Sequence, residues 1–284
     1  KTDRTYSLGD LIVNDRRSDL AHEYFSSVLE SLKVDAEAGG YDITFINRNV
    51  GKKATTYLQH CQYRGVDGVV IACVDFDDPQ VLELVNSKLP VVTIDHVFNN
   101  RAAVVSDNVR GMEELVRYVY AKGHRRIAFI HGEQTAVTEN RLTGFYRACD
   151  ALELEIPDAY IREGVYHDPD RCAELTRELL RLPEPPTCIL MPDDFSSIGG
   201  RNAIHRMDLR LPEDISVAGY DGIQIASVMS PALTTYRQDT QALGRTAAAK
   251  LIELIEKPRT ALVDRVLIPG HLVEGASVRA IETL

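Results

Sequence analysis

A chain of 284 residues has room for one large domain or two medium ones, and its 44% apolar and 26% charged content is that of an ordinary globular protein. No run approaches the roughly 18 apolar residues of a membrane span. With 32 basic against 42 acidic residues the net charge is −10, which argues against a direct grip on a nucleic-acid backbone, where affinity comes largely from a basic surface displacing counterions.

The N-terminal stretch KTDRTYSLGDLIVND lacks the apolar core and cleavage site of a secretory signal. The five cysteines, Cys61, Cys73, Cys149, Cys172 and Cys188, form no C-x-x-C pair and sit in apolar or helical contexts. They are expected to be free thiols in a reducing, cytoplasmic setting. Strands are predicted at 7–13, 41–46, 68–73, 91–95, 126–131, 159–164, 187–191, 215–220 and 232–237. Several are continuous β-branched runs, the pattern of strands covered on both faces of a parallel sheet. Helices are predicted between them. The clearest is DNVRGMEELVRYVYAKG, where Val109, Met112, Leu115, Val116 and Val119 share a face, Asp107 or Asn108 can cap the start and Gly123 can end it. The alternation predicts a doubly wound α/β architecture. The order strand, helix, strand-Asp, helix, LP, strand-Asp occurs in 41–95 and again in 159–221, which predicts two similar lobes parted near 120–126.

Apolar strands repeatedly finish on acids: VVIACVD on Asp75, VVTIDH on Asp95, CILMPDD on Asp193 and Asp194, ISVAGYDG on Asp221. Ligands of open α/β sheets bind beyond the carboxyl ends of the strands. That edge is expected to carry Asp15, Asp75, Asp95, His131, Asp193, Asp221 and Gln238. Carboxylates and amides there suit the vicinal hydroxyls of a sugar or nucleoside; the competing role for each Asp is to cap the next helix. No nucleophile elbow, dinucleotide-binding loop, phosphate loop or zinc-ligand spacing is present, so no enzyme activity, cofactor or metal is expected. KGHRR (122–126) reads as a complement to the negative end of the preceding helix.

The runs GVDGVVIA, LPVVTID, VVSDNVRGMEELVRYVYAKGHRRIAFIHG, TENRLTGFYRA, CILMPDD, LRLPEDISVAGYDG and PALTTYRQDTQALGRTAAAKLIELI, in this order over nearly the whole chain, resemble the effector-binding domain of the LacI/GalR transcriptional regulators. The resemblance implies two α/β lobes of the periplasmic-binding-protein type joined by crossovers near 122–125, 236–239 and 257–263. The N-terminal lobe would be 1–123 and 239–258, the C-terminal lobe 124–238 and 259–284, and the DNA-reading helix-turn-helix head would be absent. It implies ligand contacts from Arg141, Asp221, Gln238, Tyr24 of the pair Tyr24-Phe25, His22 and Tyr166. Asp193 stands where the family usually has Asn, a departure, and Asp75 is a further candidate. The loop NDRRSDLAHEY is longer than the usual form, and Arg16, Arg17 or Arg110 could also reach inward. A sugar or sugar derivative, bound between the lobes to control operator DNA, is the expected effector. A homodimer is expected through Ile198, Asn202, Ile225 and Met229, with Gly199 and Gly200 letting two helices approach. The alternative is a periplasmic sugar-binding protein of a transport system.

Overall fold

The computed structural model describes residues 4–12 and 22–282. In chain order the strands and helices are β1 (Ser7–Ile12), α1 (Glu23–Ala38), β2 (Asp42–Phe45), β3 (Asn49–Val50), β4 (Lys53–Ala54), α2 (Tyr57–Arg64), β5 (Gly68–Ala72), α3 (Pro79–Val85), β6 (Val91–Ile94) and β7 (Ala102–Ser106). They continue with α4 (Asn108–Ala121), β8 (Ile127–His131), α5 (Ala136–Ala151), β9 (Ile161–Glu163), α6 (Pro169–Leu180), β10 (Cys188–Leu190) and α7 (Asp194–Arg206). The last are β11 (Ser216–Asp221), α8 (Gln224–Val228), β12 (Thr234–Arg237), α9 (Thr240–Glu256), β13 (Arg265–Ile268) and β14 (His271–Val273).

Two units result. The first is Lys1–Ser106 with Asp239–Ile268, the second Asp107–Gln238 with Pro269–Leu284. Their sheets share one topology. The first runs β13-β7-β6-β5-β1-β2 and the second β14-β12-β11-β10-β8-β9, so the expected repeat is real. Pairing is parallel throughout both six-stranded sheets except at β14, which is antiparallel to β12. The outermost strands differ because β13 extends the first sheet beside β7 while β14 turns back along β12. β7, β13, β14 and the β3–β4 hairpin were not among the expected strands. They are short, and their sequences AAVVS, RVLI, HLV, NV and KA lack a long apolar run.

The unit boundaries also fall elsewhere than expected. The chain changes unit at 106/107 and 268/269 rather than near 123 and 258, whereas the change at 238/239 lies within the expected 236–239. α4 belongs to the second unit because its apolar face, Met112, Leu115, Val116 and Val119, packs with Phe129, Phe145, Ala148, Tyr220 and Tyr236. A side chain at Gly144 would strike the Val109 carbonyl, so α4 and α5 cross in close backbone contact. Residues up to 268 stay in the first unit because β13 pairs with β7.

Helix starts follow the sequence closely. Thr56 and Gln59 form a reciprocal capping box on α2, which ends on the left-handed Gly65. Asp78, Asp107, Thr135, Asp168, Asp193 and Asp239 cap α3, α4, α5, α6, α7 and α9. The KGHRR stretch closes α4: Arg125 lies 3.7 Å over the Tyr120 ring and donates to the Tyr120 carbonyl. His124 is buried, one nitrogen 3.0 Å from the Arg279 carbonyl and the other 2.8 Å from the Thr187 hydroxyl. Burial holds it below the usual imidazole range, with the charges of Arg279 and Arg125 acting the same way and the carbonyl contact opposing.

Candidate functional site

In the second unit the carboxyl ends of β8, β10 and β11, with the starts of α4, α5 and α7, assemble a polar cluster. At its centre is Arg141, on the second turn of α5 and 4% exposed. Its Nε donates to Asn108 Oδ1 at 2.9 Å and its Nη1 to the Pro192 carbonyl at 2.9 Å. The guanidinium carbon lies 3.7 Å from the centre of the Tyr220 ring and 5.4 Å from that of Tyr166, contacts worth about 0.5–2 kcal/mol each when desolvated. These fix the arm so that Nη2 stands 3.8 Å from Asp221 Oδ1.

Asp221 closes β11 with φ at +112°, a conformation L side chains rarely adopt. The turn is held by Asp194, whose Oδ2 accepts from the backbone of Gly222 and Ile223 at 2.8 and 3.0 Å and whose Oδ1 accepts from the Thr235 hydroxyl at 2.7 Å. Gln238 donates through Nε2 to Asp221 Oδ1 at 2.7 Å. Its other amide atom, Oε1, is buried and has no hydrogen-bond partner among the described residues. The Tyr in GYDG is thus the floor under Arg141, and the Asp is an acceptor presented on a strained turn.

Tyr166 also belongs to this cluster. Its hydroxyl is 2.8 Å from Thr138 Oγ1, its backbone N–H donates to Glu133 Oε2, and a side chain at Gly132 would lie 2.1 Å from its ring. Glycine after β8 is what leaves room for the aromatic. Asp193 is present but engaged. Oδ1 accepts from the Ser196 N–H at 2.7 Å, and Oδ2 from the Ser196 hydroxyl and the His167 N–H at 2.7 and 2.9 Å. Burial raises its pKa, His167 opposes that and Asp221 adds to it. Both oxygens serve the helix start and the loop carrying His167, so Asp193 takes the capping role held open in the sequence. His131 turns back on the backbone, 2.7 Å from the Gly132 carbonyl.

The first unit has its own carboxyl edge. Tyr24 donates to Asp95 Oδ2 at 2.9 Å, and Asp95 Oδ1 accepts from the Ser106 N–H at 2.8 Å, with φ +59° at Asp95. His22 caps α1. Asp75 is exposed and accepts from Asp77 N–H at 2.9 Å in a local turn. Arg110 is paired with Glu114 on its own helix. Asp15, Arg16 and Arg17 lie outside the described residues. Asn108, Tyr220, His167 and Asp194 were not singled out as site residues. The signals for the first three were faint: Asn108 read as an alternative cap, Tyr220 as a strand end and His167 as loop.

On the outer face of the second unit, Ile198 and Asn202 point away from the core while Gly199 and Gly200 do not. A side chain at Gly199 would lie 1.6 Å from the Pro169 carbonyl, and one at Gly200 2.5 Å from Met191. The small residues admit α6 and β10 inside the unit and are not the means of approach for a second copy. Ile225 and Met229 are half-buried beside the exposed Val228.

Residues 116–278, more than half of the chain, match the periplasmic binding protein-like domain family. The chain belongs to this family. It is the effector-binding domain of a LacI-type regulator. It is 28% identical over 289 residues to the HTH-type transcriptional repressor PurR of Escherichia coli O139:H28, covering 98% of this chain and 83% of that protein. Among solved structures it is similar to a transcriptional regulator CelR–cellobiose complex, at 25% identity and TM-score 0.82, over 96% of this chain and 85% of that one. It is also similar to a LacI-family regulatory protein from Chloroflexus aggregans, at 25% identity and TM-score 0.83, over 96% and 98% of the two chains. These relatives favour a regulator domain over a transport component. No described helix of the regulator domain is long and apolar enough to cross a membrane.

Proposed function

We propose that this regulator domain binds a neutral, hydroxyl-rich effector, a sugar or sugar derivative, at the carboxyl edge of the second unit's sheet. Binding there controls the operator affinity of a homodimeric repressor. The observation that carries the reading is Arg141, a buried guanidinium fixed on four sides, aimed at an Asp221–Gln238 pair whose Gln238 Oε1 has no described partner. A donor arm beside a carboxylate and an amide oxygen with no described partner matches a polyol, whose hydroxyls donate and accept at once. One cation among Asp193, Asp194 and Asp221 disfavours a multiply phosphorylated ligand. The cellobiose-bound relative supports a saccharide. Asp193 contributes by positioning the His167 loop, and Tyr166 covers the arginine.

The test is a thermal-shift and calorimetric panel of mono- and disaccharides, cellobiose included, beside purine bases and sugar phosphates. A ligand at about 100 times its Kd stabilises by roughly 2.7 kcal/mol. A sugar that does so in the wild type and not in Arg141→Ala supports the reading. A panel in which only phosphorylated compounds bind overturns it.

A further inference from the structure

In the first unit, β13 is the last strand at one margin of the sheet, with β7 on one side and no described strand on the other. Ala103 of β7 donates its N–H to the Asp264 carbonyl. Successive residues of a parallel ladder turn their backbone groups to opposite sides, so Arg265 and Leu267 present theirs away from β7. Free edges of this kind are templates for pairing. The side chains along this edge are apolar and basic. Leu262, Val263 and Leu267 are 68%, 56% and 47% exposed, a cluster rather than single scattered residues. Lys257, Arg259 and Arg265 are exposed among them and make no ion pair among the described residues. The acid of the same stretch, Asp264, is already held by Lys250 at 2.7 Å. In a chain of net charge −10 this is a local excess of positive charge. At the amino end of the edge, a cavity of about 180 Å³ is lined by Val263 together with Pro90, Val91, Leu254, Pro258 and Ala261. Small-molecule pockets start at roughly 300 Å³, so this one suits a single apolar side chain better than a free metabolite.

We infer that this edge docks an extended segment of a partner protein in which acids alternate with large apolar residues. The segment adds as a strand beside β13. Its backbone pairs with the outward groups of Arg265 and Leu267, its acids meet Lys257, Arg259 and Arg265, and one apolar side chain anchors in the cavity by Val263. Charge complementarity selects this occupant. A nucleic-acid backbone would use the basic side chains and leave Leu262, Val263 and Leu267 without a counterpart, whereas an acidic and apolar strand uses both. The same basic side chains turn away a basic strand. The edge shares no residue with the effector cluster, α7 or α8, so the inference depends neither on the effector reading nor on the expected dimer face.

The probe is a terminally blocked, fluorescein-labelled peptide of about eight residues, the length of a strand, alternating Glu with Leu or Phe. Its control carries Lys at the Glu positions. Fluorescence anisotropy is expected to show saturable binding of the acidic peptide to the wild-type chain, weakening as salt rises, and none of the basic one. Leu267→Asp is expected to weaken that binding at least about tenfold, the scale of losing an interface hot spot. Arg265→Glu is expected to reverse the preference, so that the basic peptide binds instead. Both positions are exposed, and Leu262→Asp replaces the Leu267 variant should that one fold poorly. N-methylating alternate residues of the peptide is expected to abolish binding in one register and spare it in the other, because only one set of N–H groups faces β13. Equal or absent binding of the two peptides overturns the inference. So does acidic-peptide binding that survives both Leu267→Asp and Arg265→Glu, or that survives N-methylation in both registers. Two further outcomes overturn it by naming another occupant. Self-association in sedimentation that Leu267→Asp abolishes, with no peptide bound, assigns the edge to a second copy. Duplex DNA that binds the wild type and not Arg265→Glu, with no peptide bound, assigns it to nucleic acid.

Discussion

At the scale of single residues, two buried charges behave oppositely because their surroundings differ. Arg141 is buried but fully engaged, so its charge is retained and directed. Arg141→Ala is expected to weaken effector binding by about ten- to a hundredfold, the equivalent of about 1.5–3 kcal/mol. Titration calorimetry on a variant with an unchanged circular-dichroism spectrum checks this. Asp10, at the centre of β1, is 1% exposed and neither oxygen has a described partner. Leu11 faces the cluster with Ile46, Tyr57 and Cys61, so the alternation of the strand turns Asp10 to the other side. That is the side of Gly68, which pairs with Leu8 and abuts Leu251 and Ile255 of α9. Burial pushes its pKa up from 3.8 to about 7. A raised carboxyl pKa favours the protonated folded state, so the penalty is absent below about pH 4, grows as pH rises and is complete above about pH 7. Its full size is about 4 kcal/mol. Asp10→Val is therefore expected to stabilise the domain at pH 8, by about 2–4 kcal/mol in urea denaturation, with the gain fading towards pH 4. An equal gain at both pH values would show that Asp10 does not titrate in that window.

At the scale of elements, α4 and the segment after it show how a helix end is locked. His124 ties the end of α4 to the start of β10 through Thr187 and to the C-terminal segment through Arg279. Its folded pKa is lowered, so its contribution to stability is present above the ordinary imidazole value near 6.5 and is lost as pH falls below it. The wild type is expected to lose stability between pH 6.5 and 5, and His124→Gln to be less stable at pH 7.5 but flatter over that window. Denaturation at three pH values measures both. α7 gives a second case. Asp194 receives two backbone N–H groups and one hydroxyl while buried. Asp194→Ala leaves those donors without an acceptor, at about 1–3 kcal/mol per buried group. It is expected to lower the melting temperature markedly and to weaken effector binding through the Asp221 turn, whereas Asp194→Asn recovers part of both.

At the scale of the whole molecule, two sheets of matching topology mean that one arrangement of strands is built twice from unlike sequences. Helical and apolar residues remain on the outer face of the second unit: Ile198 and Asn202 on α7, Ile225 and Met229 by α8, and Val228, which is 71% exposed. A dimer closing on this face should bury at least about 1,200 Å² in total. Ile198→Asp is expected to shift the sedimentation profile from dimer to monomer at micromolar concentration. A dimer indifferent to that charge would place assembly on another surface.

Much of this was legible from residue order. Continuous β-branched runs identified central parallel strands because strands covered on both faces need no polar alternation. The acids at their ends marked the carboxyl edge because the chain must leave the sheet there, and the motif GYDG located Asp221 without coordinates. What residue order left open was partnership. Asp193 and Asp221 look alike as strand-end acids, yet one is engaged by a helix start and its loop while the other faces Arg141 and Gln238. The apolar stripe of α4 could have served either lobe, and only its fit against α5 and the ring of Tyr236 assigns it. Gly199 and Gly200 advertise close approach but not to what; the Pro169 carbonyl and Met191 answer that from inside the unit. Asp10 reads as an ordinary charged residue until burial strips it of water. Local periodicity and capping are carried by neighbours in sequence, and so the sequence determined them. Pairing, desolvation and the division into units depend on residues far apart in the chain, and only the tertiary structure decided those.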